Sequence, residues 1–128
     1  MTQGWIVLAA ALNGFLAVAL GAFAAHGLKA RLDAYSLQII NTAAHYQLVH
    51  AVALLALAWL LQQHPQLSGL LRWQASCWIV GVVLFSGSLY LLGMTGIKWL
   101  GAITPLGGLL LLAGWLLLAW AGYRLLGN

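Results

Sequence analysis

Apolar runs separated by isolated charges dominate this chain. Charge occurs only at Lys29, Arg31, Asp33, Arg72, Lys98 and Arg124. Uncharged stretches of 28 residues before Lys29, 38 between Asp33 and Arg72, 25 up to Lys98 and 25 more up to Arg124 remain. Each can hold a helix of about 20 apolar residues, enough to cross roughly 30 Å of hydrocarbon. The longest stretch is one span and not two, because Gln62-Gln63-His64-Pro65-Gln66 interrupts it after Leu61. The pattern therefore predicts four spans, near residues 5–25, 39–61, 73–93 and 105–123. Backbone groups must be satisfied within each segment in lipid, so the spans are helices. The fold class expected is all-α: an integral membrane, antiparallel four-helix bundle forming one domain over 1–128.

Aromatic residues support this register, since Trp and Tyr favour the two membrane interfaces. Trp5, Trp59, Trp73, Trp120 and Tyr123 mark the side of the termini; Tyr35 and Trp99 mark the other.

Composition makes the same case. Hydrophobic residues form 64% of the chain and charged residues 5%, against about a quarter charged in soluble domains. A soluble enzyme is thereby excluded. The net charge of +4 is scattered between spans and reads as topology signal and lipid-headgroup contact, not nucleic-acid binding. Membrane lipid is the expected partner. The basic residues do not orient the chain: Lys29, Arg31 and Lys98 oppose Arg72, Arg124 and the α-amino group. Ala22-Phe23-Ala24 resembles a signal cleavage site, but no basic residue precedes the apolar run, so the first span is expected to stay. Cys77, the single cysteine, reads as a buried small side chain.

Small residues locate helix contacts, because close backbone approach must supply the association that lipid does not drive. Ala17, Gly21 and Ala25 recur every four residues, Gly107, Gly114 and Ala121 every seven, and Ser86-Gly87-Ser88 forms a third patch. Gly21, Gly87, Gly107 and Gly114 are thus the expected packing glycines. Both serine hydroxyls are expected to bond back to helix carbonyls. Thr104 is placed to cap the fourth helix, with Pro105 at its first position.

Polar residues inside spans are costly and are the functional candidates: Asn13, His26, Asn41, His45, Gln47 and His50. Counting from Trp59 at about 1.5 Å per residue puts His50 roughly 13 Å inside that interface, near the midplane, and His45 roughly 21 Å inside. His50 should face the bundle and stay neutral, hydrogen-bonded by Tyr46, Gln47 or the Ser86 to Tyr90 segment, with His26 nearer the interface. His45 and His50 are five apart, about 140° around a helix, so one ion should not be shared between them. The candidate polar interior site is His26, Tyr46, Gln47, His50, Ser86, Ser88 and Tyr90, with no catalytic residue, metal or cofactor expected.

Four segments carry a resemblance: Gly21-Ala22-Phe23-Ala24-Ala25-His26-Gly27, Tyr46-Gln47-Leu48-Val49-His50-Ala51, Phe85-Ser86-Gly87-Ser88-Leu89-Tyr90, and Gly101-Ala102-Ile103-Thr104-Pro105-Leu106-Gly107-Gly108 followed by Gly114-Trp115. In order and spacing the chain resembles the bacterial membrane family called domain of unknown function 423, whose eukaryotic relatives are called transmembrane protein 256. The resemblance implies a small multi-pass inner-membrane protein without a settled activity. His45 departs from the family's pattern, which counts against a shared three-histidine metal site. Basic residues after the last helix in family members tip the orientation toward cytoplasmic termini.

Three functional classes follow. The first, and the leading one, is a non-enzymatic bundle that associates with a second copy or another membrane protein. The second is a metal or haem binder using His26, His45 or His50. The third is a conduit for protons or small solutes along Asn13, His50, Ser86, Ser88 and Tyr90. An enzyme is disfavoured because the chain has no Glu and its sole Asp lies in a loop, leaving no buried acid to orient a histidine base.

Overall fold

The computed structural model describes residues 2–127; the two end residues of the expected 1–128 domain lie outside them. Among the described residues four long helices form: α1 Gln3–His26, α2 Ala34–Gln63, α3 Ser68–Thr95 and α4 Thr104–Leu126. All four are long and apolar enough to cross a membrane. α2 and α3, at 30 and 28 residues, exceed the length that hydrocarbon requires and continue into the interface.

Local chemistry sets the helix ends. Asp33 accepts the Ser36 backbone N–H at 2.8 Å and starts α2, and that backbone bond holds its carboxyl below the ordinary value of 3.8. Pro65 follows the α2 C-cap at His64 and disfavours further helix before it. Gly96 closes α3 with φ +73, its N–H bonded to the Leu92 carbonyl at 2.8 Å. Glycine takes this left-handed conformation without the Cβ penalty. Residues Lys98–Ala102 form a 3₁₀ turn that brings the chain back to α4.

The helices pack in chain order, α1 on α2, α2 on α3 and α3 on α4, and α1 and α4 make no pairing of comparable extent. Neighbours run antiparallel: Gly14 and Gly21 of α1 lie against Ala51 and Ala44 of α2, and Gly81 and Gly107 face Leu111 and Phe85 across α3 and α4. Trp78 and Leu54 are buried in the larger core cluster, Ile40 and Ala24 in a smaller one near the α1–α2 turn. The interfacial aromatics Trp5, Trp59, Trp73, Trp99 and Trp120 are all exposed, as anchors require.

Several expectations change in the folded chain. Gly107 and Gly114 are closely covered, by the Phe85 backbone and the Trp78 ring, but a Cβ on Gly87 would meet nothing within 4 Å. Gly87 is not a packing glycine. Gly81 and Gly93 are, with Leu111 and Ile40 against them. Gly21 makes only an ordinary contact, 3.5 Å to Ala44 Cβ. Ala25 is exposed while Ala24 is buried, so the α1 seam runs Ala10, Ala17, Ala24, at the seven-residue period that keeps one face inward. Thr104 is the first residue of α4 and makes no cap, with Pro105 just behind it; its hydroxyl is 2.6 Å from Ser88 Oγ instead. Ser88 bonds back to the Phe85 carbonyl, whereas Ser86 reaches across to the Ala43 carbonyl of α2 at 2.8 Å. Cys77 is only partly buried.

Candidate functional site: a polar interior beside a lateral cavity

Two hydrogen-bonded systems cross the interior. The first begins on α3, where the Tyr90 hydroxyl donates to Gln47 Oε1 at 2.7 Å. Gln47 Nε2 donates to Asn13 Oδ1 at 3.0 Å, and Asn13 Nδ2 donates to the Ala9 carbonyl of its own helix at 2.8 Å. Three helices are thus tied through one amide, with Ser86 to Ala43 fastening α3 to α2 one turn away. Gln47, Tyr90 and Ser86 are all buried, and such groups need partners in a medium without water.

The second system centres on His50, which is 4% exposed. Its Nδ1 is 2.8 Å from the Tyr46 carbonyl, and Trp115 of α4 donates Nε1–H to His50 Nε2 at 3.0 Å. Indole nitrogen can only donate, so Nε2 must accept and the ring proton belongs on Nδ1, aimed at Tyr46 O. Trp78 and Trp115 stand edge-on to the imidazole, with ring centroids 5.7 and 5.8 Å away.

The Trp115 to His50 bond spans the gap between α2 and α4, which otherwise scarcely touch. On one side of it Tyr46, His50, Phe85, Pro105, Gly108 and Trp115 help line a cavity of about 500 Å³. On the other, Leu57, Leu60, Trp78 and Leu118 line a smaller one of about 280 Å³. Both are almost wholly apolar and open sideways between α2 and α4.

The structure thus gathers Tyr46 and His50 at a cavity and places Gln47, Ser86, Ser88 and Tyr90 in packed seams. His26 is exposed at the end of α1 and does not line the cavity. His45 is exposed on the outer face of α2 beside Gln38, Asn41 and Thr42. His26 and His45 therefore form no site with His50, and among the described residues no group of three or more His, Cys, Asp or Glu could hold a metal ion. His50 is bonded through the Tyr46 backbone, not through the Tyr46 or Gln47 side chains.

Residues 20–108 match the family described as "Protein of unknown function (DUF423)". The chain belongs to this family. It is similar to a UPF0382 membrane protein of Haemophilus influenzae, 44% identical over 89% of this chain and 90% of that one. It is 41% identical to the UPF0382 membrane protein YwdK of Bacillus subtilis over 94% of this chain and 97% of the relative. The UPF0382 inner membrane protein YgdD of Escherichia coli is 39% identical over 98% of this chain and 94% of its own length. None of these names denotes an enzymatic activity. No solved structure matches the chain.

Within this DUF423 chain the matched segment carries Gln47, His50, Ser86, Ser88 and Tyr90, while Asn13 and Trp115, which complete both hydrogen-bonded systems, lie outside residues 20–108. Trp115 is not among the polar candidates that the sequence pattern singles out. The signal was present: Trp115 stands far from either interface, and a mid-span indole N–H needs an internal partner. Gln74 was also missed. It is fully buried in α3 with neither amide atom bonded, and Trp78 Nε1 is likewise without a partner. Next to the interfacial Trp73, Gln74 looks like an interface residue in the sequence.

Proposed function

We propose that this chain is a non-enzymatic inner-membrane helix bundle, with both termini cytoplasmic, that acts by associating with a second copy or another membrane protein. The observation that carries this reading is that the two hydrogen-bonded systems around His50 and Gln47 are closed, while polar side chains stand on the outer face of α2. Inside, both nitrogens of His50 are engaged and the Tyr90–Gln47–Asn13 chain terminates on a backbone carbonyl. Neither of these two systems then offers a free base, and the amide side chains of Gln47 and Asn13 hold their protons. Outside, Gln38, Asn41 and His45 are exposed on α2, with the His45 ring edge-on to Tyr46 at 5.7 Å. Polar side chains at membrane depth are satisfied by neighbouring helices.

The test compares flux with association. Full-length protein in proteoliposomes should leave proton and small-solute permeability at the level of empty vesicles, while single-molecule photobleaching in native membranes should find it in complexes. A chain that moves solute, or that diffuses as an isolated monomer without any bound protein, overturns the reading.

The cavity walled by Tyr46, Phe85 and Trp115 favours a second reading, in which a lipid-soluble molecule lodges between α2 and α4. Gly108→Leu would fill that space without replacing a member of either hydrogen-bonded system. Loss of a lipid that co-purifies with the unmodified chain, read by native mass spectrometry, supports this reading; no such lipid in either protein removes it.

A further inference from the structure

The start of α2, the end of α3 and the 3₁₀ turn that follows it enclose a recess of about 460 Å³, which neither hydrogen-bonded system uses. Its size is within the range of small-molecule sites. Local packing creates it. A Cβ on Gly93 would meet Ile40 Cγ1 and the Ser36 carbonyl, so α3 ends closely against the first turns of α2. Asp33 caps α2 by accepting the Ser36 N–H, and the left-handed turn at Gly96 carries Lys98 back over the same place. The chain's single acidic residue and one of its five basic ones are thereby the two charged residues lining the recess. They do not neutralise one another: Asp33 Oδ1 is held by Ser36 N–H at 2.8 Å, and it is Ser36 that lowers its carboxyl.

We propose that this recess binds the headgroup of a zwitterionic phospholipid, phosphatidylethanolamine, with its ammonium on the Asp33 carboxylate and its phosphate on Lys98. Depth favours a lipid, because the exposed rings of Tyr35 and Trp99 flank the recess at the interface, where headgroups lie. Charge selects among lipids. A primary ammonium donates N–H to a carboxylate in a charge-assisted bond, and the end of α3, at Leu92 and Gly96, adds the negative end of a helix dipole to the same recess. A trimethylammonium has no N–H to donate. A headgroup with a phosphate and no cation would pair with Lys98 but bring like charge to Asp33. Below the charged pair, Ile39 and Leu92 continue the recess as an apolar wall along which an acyl chain can lie, a contact that the headgroup alone does not make.

Native mass spectrometry of the full-length protein, offered equal amounts of phosphatidylethanolamine, phosphatidylcholine and phosphatidylglycerol in mixed micelles, tests the site. Phosphatidylethanolamine should be retained roughly fivefold over each of the others, the scale of one exposed ion pair. Asp33→Asn keeps the helix cap and should bring phosphatidylethanolamine down to the level of phosphatidylcholine. Lys98→Gln should also lower its retention, while Arg72→Gln, at the start of α3, should leave the preference intact. Both recess variants should melt at pH 7 as the unmodified chain does, so that a lost preference reports binding. Glycerophosphoethanolamine, which carries the headgroup without acyl chains, should fail to displace the lipid at equal concentration. Equal retention of the three lipids, a preference for phosphatidylglycerol, or a phosphatidylethanolamine preference that survives Asp33→Asn overturns the inference. Displacement by glycerophosphoethanolamine overturns its assignment to a lipid.

Discussion

Trp115 on α4 hydrogen-bonds His50 on α2 at 3.0 Å across two helices that are not otherwise packed together. The bond works in one direction only, indole to imidazole, and so requires a neutral ring protonated at Nδ1. Nitrogen NMR of ring-labelled protein in micelles should report that tautomer. Trp115→Phe should cost about 1 kcal/mol by orphaning Nε2. His50→Gln should retain more stability than His50→Leu, since an amide can accept from Trp115 and donate to Tyr46 O. Equal melting of the two His50 variants would remove the tether role.

Helix spacing between α3 and α4 depends on Gly107 and Gly114, where a Cβ would overlap the Phe85 backbone and the Trp78 ring. Gly107→Ala and Gly114→Ala should each destabilise by about 1–3 kcal/mol through forced separation. Gly87→Ala, with open space at its Cβ, should be neutral or stabilising by up to about 1 kcal/mol. Unfolding in mixed micelles ranks the three, and a Gly87 variant as unstable as the others would contradict the seam.

Gln47 joins Tyr90 to Asn13, so its two bonds should couple. A double-mutant cycle with Tyr90→Phe and Asn13→Ala should give an interaction energy of about 0.5–1.5 kcal/mol, the range of interhelical hydrogen bonds in membranes. Simple additivity would mean that Gln47 does not transmit order from α3 to α1.

Gln74 is buried without a partner for either amide atom. Replacing an unsatisfied amide by an apolar group of similar size removes a desolvation penalty, so Gln74→Leu should stabilise by about 1 kcal/mol or more. A loss of stability would show that the amide is bonded in the membrane-embedded protein.

Asp33 carries a cap whose strength follows pH. The Ser36 N–H lowers the folded carboxyl below 3.8, so its contribution is fully present above the unfolded value and fades as pH falls through the folded one. Melting temperature should decline from about pH 5 downward, and Asp33→Asn, which caps without titrating, should flatten that decline. An unchanged acid profile in Asp33→Asn would assign the loss to other groups.

Charge spacing and the apolar runs between charges are enough to read four helices, since the cost of a bare backbone in lipid leaves a long apolar run no other structure. His50 was legible as an inward, bonded histidine because a polar group near the midplane is expensive anywhere else. The seven-residue recurrence of Gly107, Gly114 and Ala121 was legible for the same kind of reason: one periodicity, one face. The partners were not. That Ser86 crosses to Ala43 while Ser88 turns to Thr104, that Gly87 faces open space while Gly81 is covered, and that Trp115 and not Gln47 completes His50 all depend on the rotation of one helix against another. Helix rotation is set by close contacts between residues far apart in the chain, such as Gly107 with Phe85 and Gly114 with Trp78. Each helix has nearly the same hydrophobicity on all sides, so its own sequence carries little information about which face turns inward. Tertiary packing decided that, and with it the open side between α2 and α4 where the cavity lies.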